Sequence, residues 1–111
     1  MILSKEQQTS KLLAQLSQEL KALTLWQSCR PTLKQMASKV PFHYDTLTLE
    51  QWLQFVFIER INQLIEEKQA LPSEISLLPM AEESFKKHVN KANRLLDIIG
   101  QLDCLLSGRN V

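Results

Sequence analysis

Three features of this 111-residue sequence predict an all-α fold, an antiparallel up-and-down bundle of three long helices plus one short helix. The chain has only two glycines and four prolines, and it is rich in Leu, Gln, Lys, Glu and Ala, a composition that favours helix over strand. Its apolar residues recur every three or four positions over long windows. Its prolines and capping residues fall between those windows rather than inside them. The length suits one domain, residues 1–111, with a single modest core.

The first helix is predicted over residues 4–27, where Leu12, Leu13, Leu16, Leu20 and Leu23 form one stripe. The segment "SCRPTLKQMAS" predicts a short second helix with Pro31 in its first turn and Leu33, Met36 and Ala37 on an apolar side. Pro41 disfavours helix at Val40, so residues 39–47 form an ordered connection. Thr48 and Gln51 fit a capping box, which starts a third helix near Leu49 that runs to about Gln69.

That third helix is apolar on several sides. Leu49, Trp52, Leu53, Val56 and Phe57 cover one, Ile58, Ile61, Leu64 and Ile65 another, and Phe55 points elsewhere, which marks the helix as central. "ALPSEISLLP" is a loop with proline near both ends whose Ile75, Leu77 and Leu78 pack down onto the bundle. A fourth helix follows from about Pro79 to Ser107, with Gly108 as its stop. Phe85, Val89, Ala92, Leu96, Ile99 and Leu106 make its inner seam, and Glu82–Lys86 and Glu83–Lys87 make two i,i+4 pairs. Asp103 interrupts that seam and needs hydrogen-bond partners. If the third and fourth helices form a simple hairpin, equal rises place those partners within residues 42–49.

Charge and cysteine content narrow the function classes. A net charge of +1 gives no global basic footprint, so nucleic-acid binding would need a local patch. The N-terminal stretch lacks the continuous apolar region of a signal peptide, and no run is long enough to span a membrane. Two cysteines without a secretion signal fit free thiols in the cytoplasm. Cys29, His43, His88 and Cys104 are separated by 13, 44 and 15 residues, which matches no compact zinc pattern, and no cofactor is implied. His88 and Cys104 would lie about 24 Å apart on one helix and could not act together. There is no glycine-rich phosphate loop, and the neighbouring acids of Glu66/Glu67 and Glu82/Glu83 diverge too far to share a substrate atom.

The phrases "PFHYDTLTLEQWLQFVFIERI", "QALP", "LLPMAEESF" and "LLDIIGQLDCLL" follow one another across about residues 41–106. In this order they resemble the YqcC family of small all-helical bacterial proteins. Members usually have Pro just before the arginine where this chain has Glu59, and the departure implies a straighter helix. The resemblance implies no catalytic residues. Through the habitual neighbourhood of family genes with that of a tRNA pseudouridine synthase, it implies an accessory role in tRNA modification.

Residues 41–61 hold five of the seven aromatic residues. Most fill the core by their spacing, and the edge formed by Phe42, His43, Tyr44, Trp52 and Phe55 is the candidate partner-binding rim. Lys87, Lys91 and Arg94, at i, i+4 and i+7, form a basic stripe that could meet phosphates. The leading expectation is therefore a non-enzymatic adaptor for a tRNA pseudouridine synthase. Direct RNA binding through the stripe is the first alternative, and an enzyme with a site near Cys29 and His43 the second. A protein, an RNA or a second copy of the chain are the partner classes this leaves.

Overall fold

Three long helical rods, linked by shorter helices and turns, surround one core built mainly of leucine and isoleucine. The computed structural model describes residues 4–40, 46–73 and 75–107, the side chains of 88–90 excepted. All regular structure among these residues is helical. The expected all-α bundle is the observed one, with two short helices in place of one.

Helix α1 (Lys5–Ala22) starts at a reciprocal cap. The Gln7 N–H donates to Ser4 Oγ at 3.1 Å, and the Ser4 N–H donates to Gln7 Oε1 at 2.9 Å. Leu13, Leu16 and Leu20 are buried along the predicted stripe. The helix ends at Ala22 rather than 27 because Thr24 takes a left-handed conformation with φ of 59°. The Leu25 N–H then reaches the Leu20 carbonyl at 2.8 Å and the Thr24 N–H reaches Lys21 at 3.0 Å, closing the last turn. A β-branched residue is a poor signal for such a stop.

Helix α2 (Leu33–Met36) is capped by Thr32 with Gln35, so Pro31 precedes the cap instead of occupying the first turn. Its expected apolar side is only partly inward: Met36 is half-buried, while Leu33 is 90% exposed. Of the connection that follows, Pro41 to Asp45 lie outside the described residues. Thr46 ties its far end back by donating to the Gln35 carbonyl at 2.8 Å.

The central rod is continuous over 49–66 but not uniform. Helix α3 (Leu49–Trp52) begins at the predicted Thr48–Gln51 capping box. A π-helical turn (Leu53–Phe57) follows, and helix α4 (Ile58–Glu66) completes the rod. Leu53, Gln54, Phe55, Phe57 and Ile58 along the wide turn are all buried, as expected of a rod covered on several sides. Lys68, with φ of 56°, ends the rod as Thr24 ends α1, so it stops short of Gln69.

The predicted fourth helix is broken. Helix α5 (Leu78–Ser84) leads into a 3₁₀ turn (Lys86–His88), and only then does α6 (Val89–Leu106) begin. Leu78 packs 3.4 Å from where a Cβ on Gly100 would sit, and its N–H bonds Asp103, so α5 starts beside the far end of α6 and runs antiparallel to it. The chain therefore reverses at 85–88, inside what the sequence predicts as one continuous fourth helix. The break also changes the surface pairing: Glu83 meets Lys86 at 2.8 Å across i,i+3. The expected stop, Gly108, lies outside the described residues.

Helices α1 and α6 pack antiparallel. Lys5 Nζ donates to the Leu106 carbonyl at 3.3 Å at one end, and Arg94 meets Glu19 at 3.4 Å near the other. Phe85, Ala92, Ile99 and Leu106 of the expected seam are buried, joined by Leu95, Ile98 and Leu102. The loop after α4 packs down as predicted: Leu77 is buried, Ile75 and Leu78 are packed on the core, and Ser107 Oγ donates to the Ile75 carbonyl at 3.0 Å.

Asp103 is 2% exposed, and among the described residues its partners lie at Leu77 and Leu78 and not in 46–49, while 42–45 lie outside the described residues. Its carboxylate accepts from the N–H groups of Leu77 at 2.8 Å and Leu78 at 2.7 Å, at the start of α5. The chemistry is the expected one, a carboxylate at a helix N-terminus, but the reversal at 85–88 delivers a different helix start to it.

Candidate functional site

The central rod and the loop behind it enclose an apolar groove of about 540 Å³. Trp52, Val56, Arg60, Ile61 and Leu64 line it from the rod, one residue per turn or nearly so. Ala70, Pro72, Ile75 and Leu77 form the facing wall. Pro72 stiffens that wall, and the packing of Ile75 and Leu77 on the core holds it at a distance from the rod. Trp52 is half-buried at one end of the groove and stacks on Phe57 with ring centroids 5.6 Å apart. Arg60 lies at the mouth with its side chain exposed, the one ionisable group in the lining among the described residues.

The opposite flank of the π turn is closed by the chain itself. Phe55 is 7% exposed, and the Arg30 guanidinium sits 5.5 Å from its ring centroid. Arg30 in turn grips Glu59 with two bonds, Nη1 to Oε2 at 2.6 Å and Nη2 to Oε1 at 2.8 Å. That hydrogen bonding, and then the charge of Glu59, raises the Arg30 pKa still further above its ordinary value. Glu59 thus serves as an anchor for the segment between α1 and α2. Gln54 anchors the same segment from inside: its Oε1 accepts from the Gln27 N–H at 2.9 Å and its Nε2 donates to the Gln27 carbonyl at 2.8 Å. A smaller hollow of about 230 Å³ lies between Met36 and the Phe55–Gln63 stretch of the rod.

The residues singled out from sequence are therefore dispersed. Phe42, His43 and Tyr44 lie outside the described residues. Trp52 borders the groove, whereas Phe55 belongs to the core beneath Arg30 and not to an open rim. Val56 and Leu64, on two of the apolar sides that periodicity gives the central helix, are half-buried in the groove floor. Lys87 is on the 3₁₀ turn and Lys91 and Arg94 are on α6, so the basic stripe spans a helix junction. All three are exposed, and Arg94 shares its charge with Glu19. Cys29 is exposed and Cys104 half-buried, both as free thiols. Among the described residues no three His, Cys, Asp or Glu side chains converge on a point that could hold a metal ion. No helix among them is long and apolar enough to cross a membrane.

The facing wall of the groove was not assigned a role by sequence reasoning. Its signal is the apolar content of a loop bounded by prolines, which shows that the loop packs down but not that it stands off the rod far enough to leave a trough.

Fold and groove define a small all-helical domain with an apolar groove beside its central rod. The chain belongs to the YqcC-like family, and the family model that matches residues 8–105 carries the description tRNA pseudouridine synthase C. An uncharacterised protein of Haemophilus influenzae is 40% identical over 89 residues, covering 80% of this chain and 83% of that one. The protein YqcC of Escherichia coli K12 is 30% identical over 82 residues, 74% of this chain and 75% of that one. The solution NMR structure of E. coli YqcC superposes with a TM-score of 0.84 at 26% identity, covering 98% of this chain and 93% of that one. A protein named tRNA pseudouridine synthase C from Pectobacterium carotovorum is 34% identical over 70 residues, which are 63% of this chain but only 19% of that protein.

Proposed function

We propose that this chain is a non-catalytic accessory module for a tRNA pseudouridine synthase of the C type, acting in the cytoplasm through protein–protein contact. The observation that carries the reading is the Pectobacterium relative, in which a segment similar to this chain occupies about a fifth of a protein named as that synthase. Two units joined in one polypeptide meet at an effective concentration in the millimolar range, so weak contact suffices. A separate chain doing the same work needs a surface that holds by itself. The groove beside the central rod supplies apolar area for that, edged by a cation. General acid–base catalysis, by contrast, would ask for a titratable pair within hydrogen-bond reach, and Arg60 alone does not supply one.

Direct tRNA contact is the second reading, favoured by the exposure of Lys87 and Lys91 on neighbouring turns. The deciding experiment mixes the purified chain with the purified synthase of its own bacterium and follows both sedimentation and pseudouridine formation in tRNA. A complex, together with a changed rate or KM for tRNA, is the expected result. No complex at tens of micromolar and no change in tRNA modification would sink the accessory reading.

A further inference from the structure

The accessory reading leaves open where the synthase would bind and what it must present; the charge pattern around the groove answers both. Within the groove, Trp52, Val56 and Leu64 on one side and Ile75 on the other are half-buried and offer apolar surface, with one cation at the edge. Two neighbours in sequence, Glu59 and Arg60, are treated very differently by the fold. Glu59 is held bidentately by Arg30, so it cannot serve Arg60. Among the described residues no other carboxylate pairs with Arg60, and its side chain is exposed. Among the described residues the result is an apolar trough with a single unneutralised guanidinium at its mouth, whose planar fork matches a carboxylate.

We propose that this groove seats a segment of the synthase carrying large apolar side chains beside an Asp or Glu, the apolar groups lying between Val56 and Ile75 and the carboxylate on Arg60. This inference rests on the accessory reading and adds the surface and the chemistry of its occupant. The lining runs from Trp52 to Leu64, about 18 Å of rod, long enough to meet some three turns of a partner helix. A small-molecule site would instead be expected to aim several polar groups at one point, and beyond Arg60 the described side chains here offer only the hydroxyl of Ser76 and, at one end, the indole N–H of Trp52.

The test is a calorimetric titration of the purified synthase into the wild-type chain and into Arg60→Glu, Val56→Asp and Lys91→Glu, each checked for folding by circular dichroism. Arg60→Glu sits on an exposed side chain, so it stays informative even if Val56→Asp fails to fold. The expected result is a rise in Kd of about tenfold or more for Arg60→Glu, with a weaker salt dependence, and no change for Lys91→Glu. If the wild type binds but Arg60→Glu binds equally well, or Lys91→Glu alone abolishes binding, the groove is not the docking surface and the accessory reading survives. If the wild type does not bind at all, both fall together. Two further outcomes would overturn the proposal: a small acid co-purifying with the wild type in native mass spectrometry and lost in Arg60→Glu while synthase affinity is unchanged, or a wild-type dimer in sedimentation equilibrium that Arg60→Glu dissociates.

Discussion

Asp103 and Gln54 sit in an otherwise apolar interior, 2% and 5% exposed, and each binds backbone that no helix ladder satisfies. Asp103 takes the first N–H groups of α5, and Gln54 takes both the N–H and the carbonyl of Gln27 in the irregular segment after α1. Removing either leaves buried backbone groups without partners, the costly half of a lost hydrogen bond. Asp103→Asn replaces one accepting oxygen by a donor facing another donor. It is expected to lower unfolding free energy by about 1–3 kcal/mol in urea titration with an unchanged m-value. Gln54→Met keeps the volume and loses both bonds, with an expected cost of about 1–3 kcal/mol. A stability equal to wild type in either variant would mean that these bonds are replaceable by water.

At the level of elements, the helices end by two different means. Thr24 and Lys68 both hold the left-handed conformation where glycine is the usual choice. The hydroxyl of Thr24 donates to the Leu23 carbonyl at 2.6 Å, but at an exposed site that offsets little of the strain. Thr24→Gly is therefore expected to stabilise the chain by about 0.5–1 kcal/mol, read as a rise of a few degrees in the thermal midpoint. A fall would show that the added freedom of the unfolded chain outweighs the relieved strain. The α5–α6 break has no such marker, since "ESFKKHV" contains neither Gly nor Pro. What rewards it is burial: with the reversal there, Leu77, Ala81 and Phe85 of the α5 arm join the core that α1 and α6 share. Leu16, fully buried in the α1 stripe, tests that core directly, and Leu16→Ala is expected to cost about 2–5 kcal/mol. A loss below 1 kcal/mol would mean that the core collapses around the vacancy.

Taken as a whole molecule, the chain presents two chemically distinct surfaces. One is the apolar groove edged by Arg60, and the other is the cationic junction of Lys87, Lys91 and Arg94. On the accessory reading, replacing these three cations by Gln leaves the chain's effect on the synthase intact. Direct tRNA contact would instead show as lower tRNA affinity in the triple variant, with the log–log salt slope reduced by about 2–3. Filter binding of tRNA across a salt series, run beside the synthase assay, distinguishes the two surfaces.

The all-helical class, the start of the central rod at the Thr48–Gln51 box, the leucine stripe of α1 and the inward packing of the loop at Ile75 and Leu77 are all legible in the order of residues. Each of these is written within a few residues, as a period, a cap or a proline, and neighbours in sequence suffice to read it. Tertiary structure alone decided the reversal at 85–88, the π turn, the burial of Phe55 beneath Arg30 and the open trough at Val56 and Leu64. These are outcomes of competition between partners far apart along the chain. Asp103 lies 26 residues from the Leu77 N–H it accepts, and Arg30 lies 29 from Glu59. Whether a helix continues or turns back there depends on which arrangement buries more apolar surface and satisfies more backbone, a sum over the whole core that no local window contains.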